Sequence, residues 1–162
     1  MDNHVASDHK IQKGEELLKL LIAEDDTDDF ELIKEAIEEC NLSVTIERAE
    51  NGDILIKILD DRIPDLLFLD ILLPCKDGRQ CLKEIRSNRK YDLLPIIIYS
   101  SLNAWAEVEF CFREGANLYV IKPTSFAELK LMLEKVLNID WKKSIYYPPL
   151  PDFLINPQLM MR

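Results

Sequence analysis

The sequence predicts an α/β domain in which five strand–helix units, (βα)5, form a doubly wound, five-stranded parallel sheet between two layers of helices. Five short apolar runs alternate with segments of helical period, the order typical of a parallel sheet. The first, third and fourth runs are almost continuously apolar, as in central strands that helices cover on both faces. A length of 162 residues, 48% of them hydrophobic, suffices for one domain with a proper core.

The first half of the predicted domain contains three strands. Residues 17–23 form the first apolar run, residues 44–49 alternate in polarity and are expected nearer a sheet edge, and residues 65–69 form the third run. A helix is predicted over 51–61. Another lies between the first two strands, where the apolar residues keep helical spacing: Phe30, Ile33, Ile37 and Cys40.

The second half continues with a helix over 78–89, which the Asp77-Gly78 pair is expected to introduce as a turn, with Gly78 in an unusual backbone conformation. Residues 95–99 form the fourth strand. The helix after it is expected to bury four side chains: Trp105, Val108, Cys111 and Phe112.

The last predicted strand covers residues 118–121, and the last helix begins after Ser125. Ser125 is expected to be the N-cap because Glu128 follows three residues later. The apolar spacing of this helix continues to Val136, so the predicted domain covers residues 17–138.

Two segments lie outside the repeating pattern. Residues 1–16 are polar and are expected to be a flexible N-terminal extension. Residues 139–162 form a proline-rich tail that is too short for a second domain. A disordered tail and a tail that docks on the domain, or on the partner subunit of a homodimer, both stay open, because several large apolar side chains would otherwise face water: Trp141, Tyr146, Tyr147, Phe153 and Leu154.

The charge and the apolar runs exclude several classes of partner. Thirty acidic residues against twenty basic ones give a formal charge of -10, which repels nucleic acids and anionic lipid surfaces. No apolar run approaches the ~20 residues that a membrane span needs, and the N-terminus does not resemble a signal peptide. We therefore expect a cytoplasmic protein that binds neither nucleic acid nor membranes.

The cysteines and histidines limit the chemistry. The four cysteines form no C-x-x-C pair, so free thiols in a reducing compartment are expected. The two histidines, His4 and His9, lie in the polar N-terminal segment. A histidine-based catalytic site or a multi-histidine metal site is therefore not expected in the domain.

Polar side chains follow four of the five predicted strands. The first strand ends at Glu24 and Asp25, the third at Asp70, the fourth at Ser100 and the fifth at Lys122. In an open parallel sheet, ligands bind at the carboxyl ends of the strands. The convergence of these groups at one edge predicts the functional site.

The residue types at this edge indicate phosphoryl chemistry with a metal. Neighbouring carboxylates repel each other unless a cation lies between them, and their oxygens suit Mg²⁺. One carboxylate could then attack phosphorus, while Lys122 and the Ser100 hydroxyl stabilise the phosphoryl oxygens. Asp26 and Asp28 are interpreted as helix-cap or loop residues and are not counted as ligands.

Four motifs in this order resemble the receiver domains of bacterial response regulators: L-L-I-A-E-D-D, L-L-F-L-D-I-L-L-P-C-K-D-G, I-I-I-Y-S-S and L-Y-V-I-K-P. The resemblance covers residues 17–138 and implies a flavodoxin-like or CheY-like three-layer sandwich with strand order 2-1-3-4-5. It also implies a signalling domain rather than an enzyme, with only self-phosphorylation and dephosphorylation chemistry. The phosphoryl donor would be a histidine kinase or a histidine phosphotransfer protein, and the output would be a protein contact. Among receivers, the chain resembles stand-alone regulators such as the cyanobacterial phytochrome response regulators.

The resemblance implies a role for each matching residue at the metal. Asp70 would be the phosphorylated residue. Asp25 would coordinate Mg²⁺ directly, Glu24 would act mainly through a water molecule, and the backbone carbonyl of Leu72 would complete the protein ligands.

The resemblance also implies the residues that respond to phosphorylation. Ser100 would be the switch hydroxyl and Lys122 the cation that pairs with the phosphoryl group. Tyr119 would be the switch aromatic, which turns inward when Ser100 moves. The bond between Lys122 and Pro123 would be cis.

Two other functions are less well supported. A small Mg²⁺-dependent phosphohydrolase of the haloacid-dehalogenase type would also use Asp70 as a nucleophile, but Leu72 stands where its acid/base aspartate is expected. A flavodoxin-like nucleotide-binding module would need a glycine-rich loop after the first strand, where acidic residues stand instead.

Overall fold

The computed structural model describes residues 16–143 and 146–161. The predicted extension 1–16 lies, except for Glu16, outside the described residues. The elements are β1 Leu18–Ala23, α1 Thr27–Glu39, β2 Val44–Ala49, α2 Gly52–Asp61, β3 Leu66–Leu69, α3 Gly78–Arg86, a 3₁₀ turn Arg89–Tyr91, β4 Ile96–Ser100, α4 Trp105–Arg113, β5 Leu118–Ile121, α5 Phe126–Leu137, α6 Leu150–Phe153, β6 Leu154–Ile155 and α7 Pro157–Met160.

The strands form one parallel sheet in the order β2-β1-β3-β4-β5-β6. The predicted order 2-1-3-4-5 is confirmed, and β2 lies at an edge as its alternating polarity indicated. The predicted number of strands is too low, because β6, formed by the tail, adds a sixth. Ala23 of β1 is opposite Leu69 of β3, so the residues after these two strands emerge side by side.

Helices cover both faces of the sheet. One core cluster joins α1 and α5 to one face, and a second joins α2, α3 and α4 to the other. The central strand β3 is fully buried along its length, as its continuous apolar sequence predicted. The Ser125 hydroxyl accepts a hydrogen bond from the Glu128 N–H at 3.2 Å, which confirms the predicted cap of α5.

The tail packs against the domain in this structure. Phe153 is fully buried; its ring meets the ring of Phe112 edge-on, with 5.2 Å between centroids, and lies 6.5 Å from that of Tyr119. Trp141 is also buried, and its indole N–H donates to the carbonyl oxygen of Val136 at 2.9 Å. Burial of these aromatic groups stabilises the docked tail.

The expected burial of Trp105 is wrong. The Trp105 side chain is 53% exposed, because it is the first residue of α4 and the buried positions of that helix are Val108 and Cys111. Phe112 is half-buried, and the side chain that packs against it, Phe153, belongs to the tail.

The expected unusual conformation of Gly78 is also wrong, although the position does require glycine. The left-handed backbone in this loop belongs to Cys75, with φ 68°. Gly78 begins α3 directly beside β3, where an added Cβ would lie 2.2 Å from the carbonyl oxygen of Asp70. Close backbone approach, rather than a positive φ, therefore excludes a side chain here. Asp77 caps α3 by accepting from the N–H of Gln80.

Candidate functional site

The acidic pair lies in the loop that follows β1. Glu24 is buried, with 1% of its surface exposed, whereas Asp25 is exposed. The next residue, Asp26, caps α1 by accepting from the N–H of Asp29 at 3.0 Å, which confirms the interpretation of Asp26 as a cap. The helix therefore begins directly after the acidic pair and fixes where the pair lies.

Arg48, from β2, holds the backbone of this loop. Its Nε donates to the carbonyl oxygen of Glu24 at 3.0 Å, and its Nη2 donates to that of Asp25 at 2.9 Å. The guanidinium also lies over the ring of Phe30, 5.1 Å from the centroid. The planar fork of arginine makes such paired contacts with defined geometry, so Arg48 orients the two carboxylates through their main chain.

Asp70 follows β3 and is almost fully buried, with 4% of its surface exposed. Its Oδ1 accepts from the backbone N–H of Leu72 at 3.1 Å, and its Oδ2 accepts from Lys122 at 2.9 Å. The side chain of Leu72, two residues further along the loop, is 54% exposed.

Lys122 follows β5, and its ammonium lies among three carboxylates. Its Nζ is 2.7 Å from Glu24 Oε2, 2.8 Å from Asp29 Oδ2 and 2.9 Å from Asp70 Oδ2. Burial alone would lower the pKa of Lys122, but the three carboxylates raise it above its ordinary value, so the ammonium stays protonated. Within the described residues no peptide bond is cis. The expected cis bond before Pro123 is therefore wrong, and the chain has the trans isomer, which peptides prefer even before proline.

The carboxylates of Glu24, Asp25 and Asp70 fit a divalent cation. One oxygen of each lies within 4.8 Å of the other two, and these oxygens are hard ligands. Burial raises the pKa of Glu24 to about 7, although Lys122 opposes the shift. Glu24 Oε2 is buried and close to the ammonium but makes no hydrogen bond of good geometry, so this oxygen has unused capacity to bind a cation.

Ser100 and Tyr119 lie on the neighbouring strands. Ser100 is fully buried at the end of β4, and its Oγ accepts from the N–H of Leu102 at 3.3 Å. Tyr119 is fully buried in β5, and its hydroxyl donates to the carbonyl oxygen of Leu102 at 2.6 Å. Both side chains therefore contact the backbone of the same loop between β4 and α4.

Sequence reasoning missed two residues of this site, Asp29 and Arg48. A signal for Asp29 was available, because it stands four residues before the buried Ile33 and so faces the sheet from the first turn of α1. Arg48 contacts main-chain carbonyl groups, and such contacts leave no residue pattern in the sequence.

Residues 20–134 match the family described as the response regulator receiver domain. The chain belongs to the response regulator receiver family. As a receiver it is a signalling domain of two-component systems, and its fold is the CheY-like fold that the sequence predicted.

Curated relatives of this receiver include complete small regulators and parts of larger ones. A chemotaxis protein CheY homolog of Campylobacter jejuni is 32% identical over 125 residues, which cover 75% of this chain and 93% of that protein. The probable methanogenesis regulatory protein FilR2 of Methanothrix harundinacea is 24% identical over 142 residues, which cover 83% of this chain and 92% of that protein. The transcriptional regulatory protein AfsQ1 of Streptomyces coelicolor is 34% identical over 124 residues, which are 74% of this chain but 51% of that regulator.

Solved structures show the same fold. The response regulator Rcp1 in its Mn(2+)-bound form has a TM-score of 0.70 and 22% identity, with 82% of this chain and 99% of that chain covered. The phosphorylated cyanobacterial phytochrome response regulator RcpA has a TM-score of 0.73 and 23% identity, with 80% of this chain and 97% of that chain covered. No helix in the described part of this receiver is long and apolar enough to span a membrane.

Proposed function

We propose that this receiver accepts a phosphoryl group on Asp70, with Mg²⁺, from a histidine kinase or a histidine phosphotransfer protein. The observation that carries the proposal is the position of the Asp70 carboxylate. It lies at the end of a buried central strand, among the acidic pair and within 2.9 Å of the Lys122 ammonium. A carboxylate held between a cation site and an ammonium is suited to attack phosphorus.

The transfer step follows from this geometry. A carboxylate oxygen of Asp70 forms a bond to phosphorus as the bond from phosphorus to the donor nitrogen of phosphohistidine breaks. The electron pair of the broken bond stays on the imidazole. Lys122 stabilises the charge on the phosphoryl oxygens, and the raised pKa of its ammonium keeps that charge in place.

Glu24, Asp25, Asp70 and the backbone carbonyl of Leu72 would hold the metal. Mg²⁺ offsets the negative charge of the transferring phosphoryl group when it is bound. The donor set supports this assignment, since the three carboxylate oxygens converge within 4.8 Å. The Mn(2+)-bound form of Rcp1 and the phosphorylated form of RcpA support a divalent cation and an acceptor residue in proteins of this fold.

Ser100 and Tyr119 would report phosphorylation to the surface. The Ser100 hydroxyl has a proton to donate to a phosphoryl oxygen, and moving it would break its contact with Leu102. Because Tyr119 bonds to the same residue, the loop between β4 and α4 couples the two side chains. The output would be a change in protein contacts at the surface of α4, β5 and α5, where the tail adds β6 beside β5, and a homodimer stays a prediction.

The proposal is tested by incubation with acetyl phosphate and Mg²⁺, followed by measurement of the intact mass. We expect a gain of one phosphoryl group that a metal chelator prevents and that Asp70→Asn abolishes. Repeated turnover of p-nitrophenyl phosphate that depends on Asp70 would instead support the phosphohydrolase. No mass gain in the wild-type chain with Mg²⁺ present would contradict the proposal.

A further inference from the structure

The ammonium of Lys122 lies among three carboxylates and donates hydrogen bonds to two of them, Asp29 and Asp70. An ammonium group has three N–H donors, and three carboxylate oxygens, from Glu24, Asp29 and Asp70, lie within 2.9 Å of Nζ. A phosphoryl oxygen on Asp70 would be a further acceptor. The phosphoryl oxygen would therefore compete with these carboxylates for the ammonium.

Burial indicates which contact is released. The side chain of Glu24 is 1% exposed, and apart from Lys122 its Oε2 has no partner among the described residues. Losing the ammonium before a metal is bound would leave this buried oxygen without a compensating charge. Asp70 is the residue that would carry the phosphoryl group, so a contact between Lys122 and a phosphoryl oxygen would replace the contact between Lys122 and Asp70.

The ion pair between Lys122 and Asp29 can be broken at a low cost in free energy. Its side chain is 36% exposed, so water can replace the ammonium. A cavity of about 120 Å³, lined by Asp29, Lys122 and Tyr99 among others, adjoins the pair and is large enough for water. The Asp29 backbone is also fixed by its hydrogen bond to Asp26, so the carboxylate stays in place when Lys122 leaves.

We propose that Asp29 is a positioning residue: it holds Lys122 in the unphosphorylated receiver and releases it to the phosphoryl group. This inference rests on the proposed function of Asp70. Because Asp29 competes with the phosphoryl group for the ammonium, its removal leaves a donor of Lys122 free and favours the phosphorylated form. Asp29 thus slows phosphorylation and limits the fraction of receiver phosphorylated at a given donor concentration.

The rate of phosphorylation by acetyl phosphate tests the inference with a matched control. Asp28 lies in the same helical turn, is exposed and carries the same charge, but no hydrogen bond or ion pair joins its side chain to Lys122 in the described chain. We expect Asp29→Asn to raise the rate severalfold, and Asp28→Asn to raise it much less because it only reduces the negative field. Equal rates for the two variants, or a slower rate for Asp29→Asn, would overturn the inference.

A crystal structure of the wild-type receiver with Mg²⁺ and beryllofluoride gives a readout that is independent of rate. The fluorine atoms stand in for phosphoryl oxygens on Asp70. We expect Lys122 Nζ to contact a fluorine atom and to lie beyond ion-pair distance, about 4 Å, from Asp29. A Lys122 that still contacts Asp29 would overturn the inference while leaving the proposed function intact. A wild-type receiver that acetyl phosphate never phosphorylates would overturn both.

Discussion

Side chains of like charge lie close together in the site of this receiver and repel one another until a cation binds. Three carboxylates, from Glu24, Asp29 and Asp70, lie within 2.9 Å of the Lys122 ammonium, and a fourth, from Asp25, lies close to those of Glu24 and Asp70. The positive charge is insufficient to balance them, and burial of Glu24 makes the imbalance costly. Metal binding would relieve this repulsion, so the same residues that would perform the chemistry weaken the metal-free fold.

Glu24 gives the metal-free protein a predictable pH dependence. Its pKa is raised from 4.5 to about 7 by burial, with Lys122 opposing, so between these values the folded state holds a proton that the unfolded state has lost. The stability that this proton provides is present below about pH 4.5 and is lost as the pH rises through about 7. We expect the loss to be at most about 3 kcal/mol.

Urea unfolding with a metal chelator, at several pH values from about 5.5 to 8, measures this effect. Glu24→Gln removes the titrating group at nearly the same volume. We expect the variant to gain stability relative to the wild type as the pH rises toward 7. If the free energy of unfolding changes with pH in the same way for both proteins, burial does not raise the pKa of Glu24.

Leu72 is predicted to prolong the phosphorylated state. Its side chain is 54% exposed beside Asp70, and Leu102 is half-buried two residues past Ser100. Neither side chain can hydrogen-bond and orient an attacking water. Leu72→Asn is expected to shorten the phosphoryl half-life severalfold, measured by loss of the phosphorylated mass after removal of acetyl phosphate. An unchanged or longer half-life would refute this role.

The residues that sequence patterns predicted are those that follow strands. Glu24, Asp25, Asp70 and Lys122 could be placed together because parallel strands end at one edge of the sheet. Asp29 was missed because a charged residue in the first helical turn is usually only a favourable dipole contact.

At the level of helices and strands, the alternation of apolar runs predicted every strand and α-helix of the receiver from β1 to α5, but not the 3₁₀ turn Arg89–Tyr91. The sequence contained less information on how these elements pack against one another. One close approach is that of α3 to the loop after β3, where the Gly78 N–H donates to the carbonyl oxygen of Ile71 at 2.8 Å. This contact places α3 directly behind Asp70, and the sequence showed only a turn there.

Gly78→Ala tests whether that approach supports the site. An added Cβ would lie 2.2 Å from the Asp70 carbonyl oxygen and 2.6 Å from Ile71 Cα, both backbone atoms that cannot move independently. We expect a loss of about 3 kcal/mol or more in the free energy of unfolding, measured by urea denaturation. Lys57→Ala, at an exposed position of α2, serves as the control and is expected to change stability by less than about 0.5 kcal/mol. Similar effects for the two variants would refute the close-approach explanation.

In the molecule as a whole, the tail is the feature that the sequence left undecided. Its large apolar groups indicated that leaving it in water is unfavourable, but no pattern specified which surface would bury them. In the structure β6 extends the sheet beside β5, and Phe153 fills a position between Phe112 and Tyr119. A two-residue strand is too short to be recognised by its periodicity.

Phe153→Ala tests the energetic importance of the docked tail. Because Phe153 is fully buried, its truncation is expected to cost about 3–5 kcal/mol in urea unfolding. Leu159, in the same tail but 57% exposed, provides the control, and Leu159→Ala is expected to cost less than about 0.5 kcal/mol. A loss below about 1 kcal/mol for Phe153→Ala would mean that the tail contributes little to the fold.

Chemical trapping of the phosphorylated residue tests the proposed function most directly. After incubation with acetyl phosphate and Mg²⁺, borohydride reduces an aspartyl phosphate to homoserine, and peptide mass spectrometry locates the change. We predict homoserine at position 70 and unchanged aspartate at positions 25 and 29. Reduction at another acidic residue, with Asp70 intact, would contradict the assignment of Asp70 as the phosphoryl acceptor.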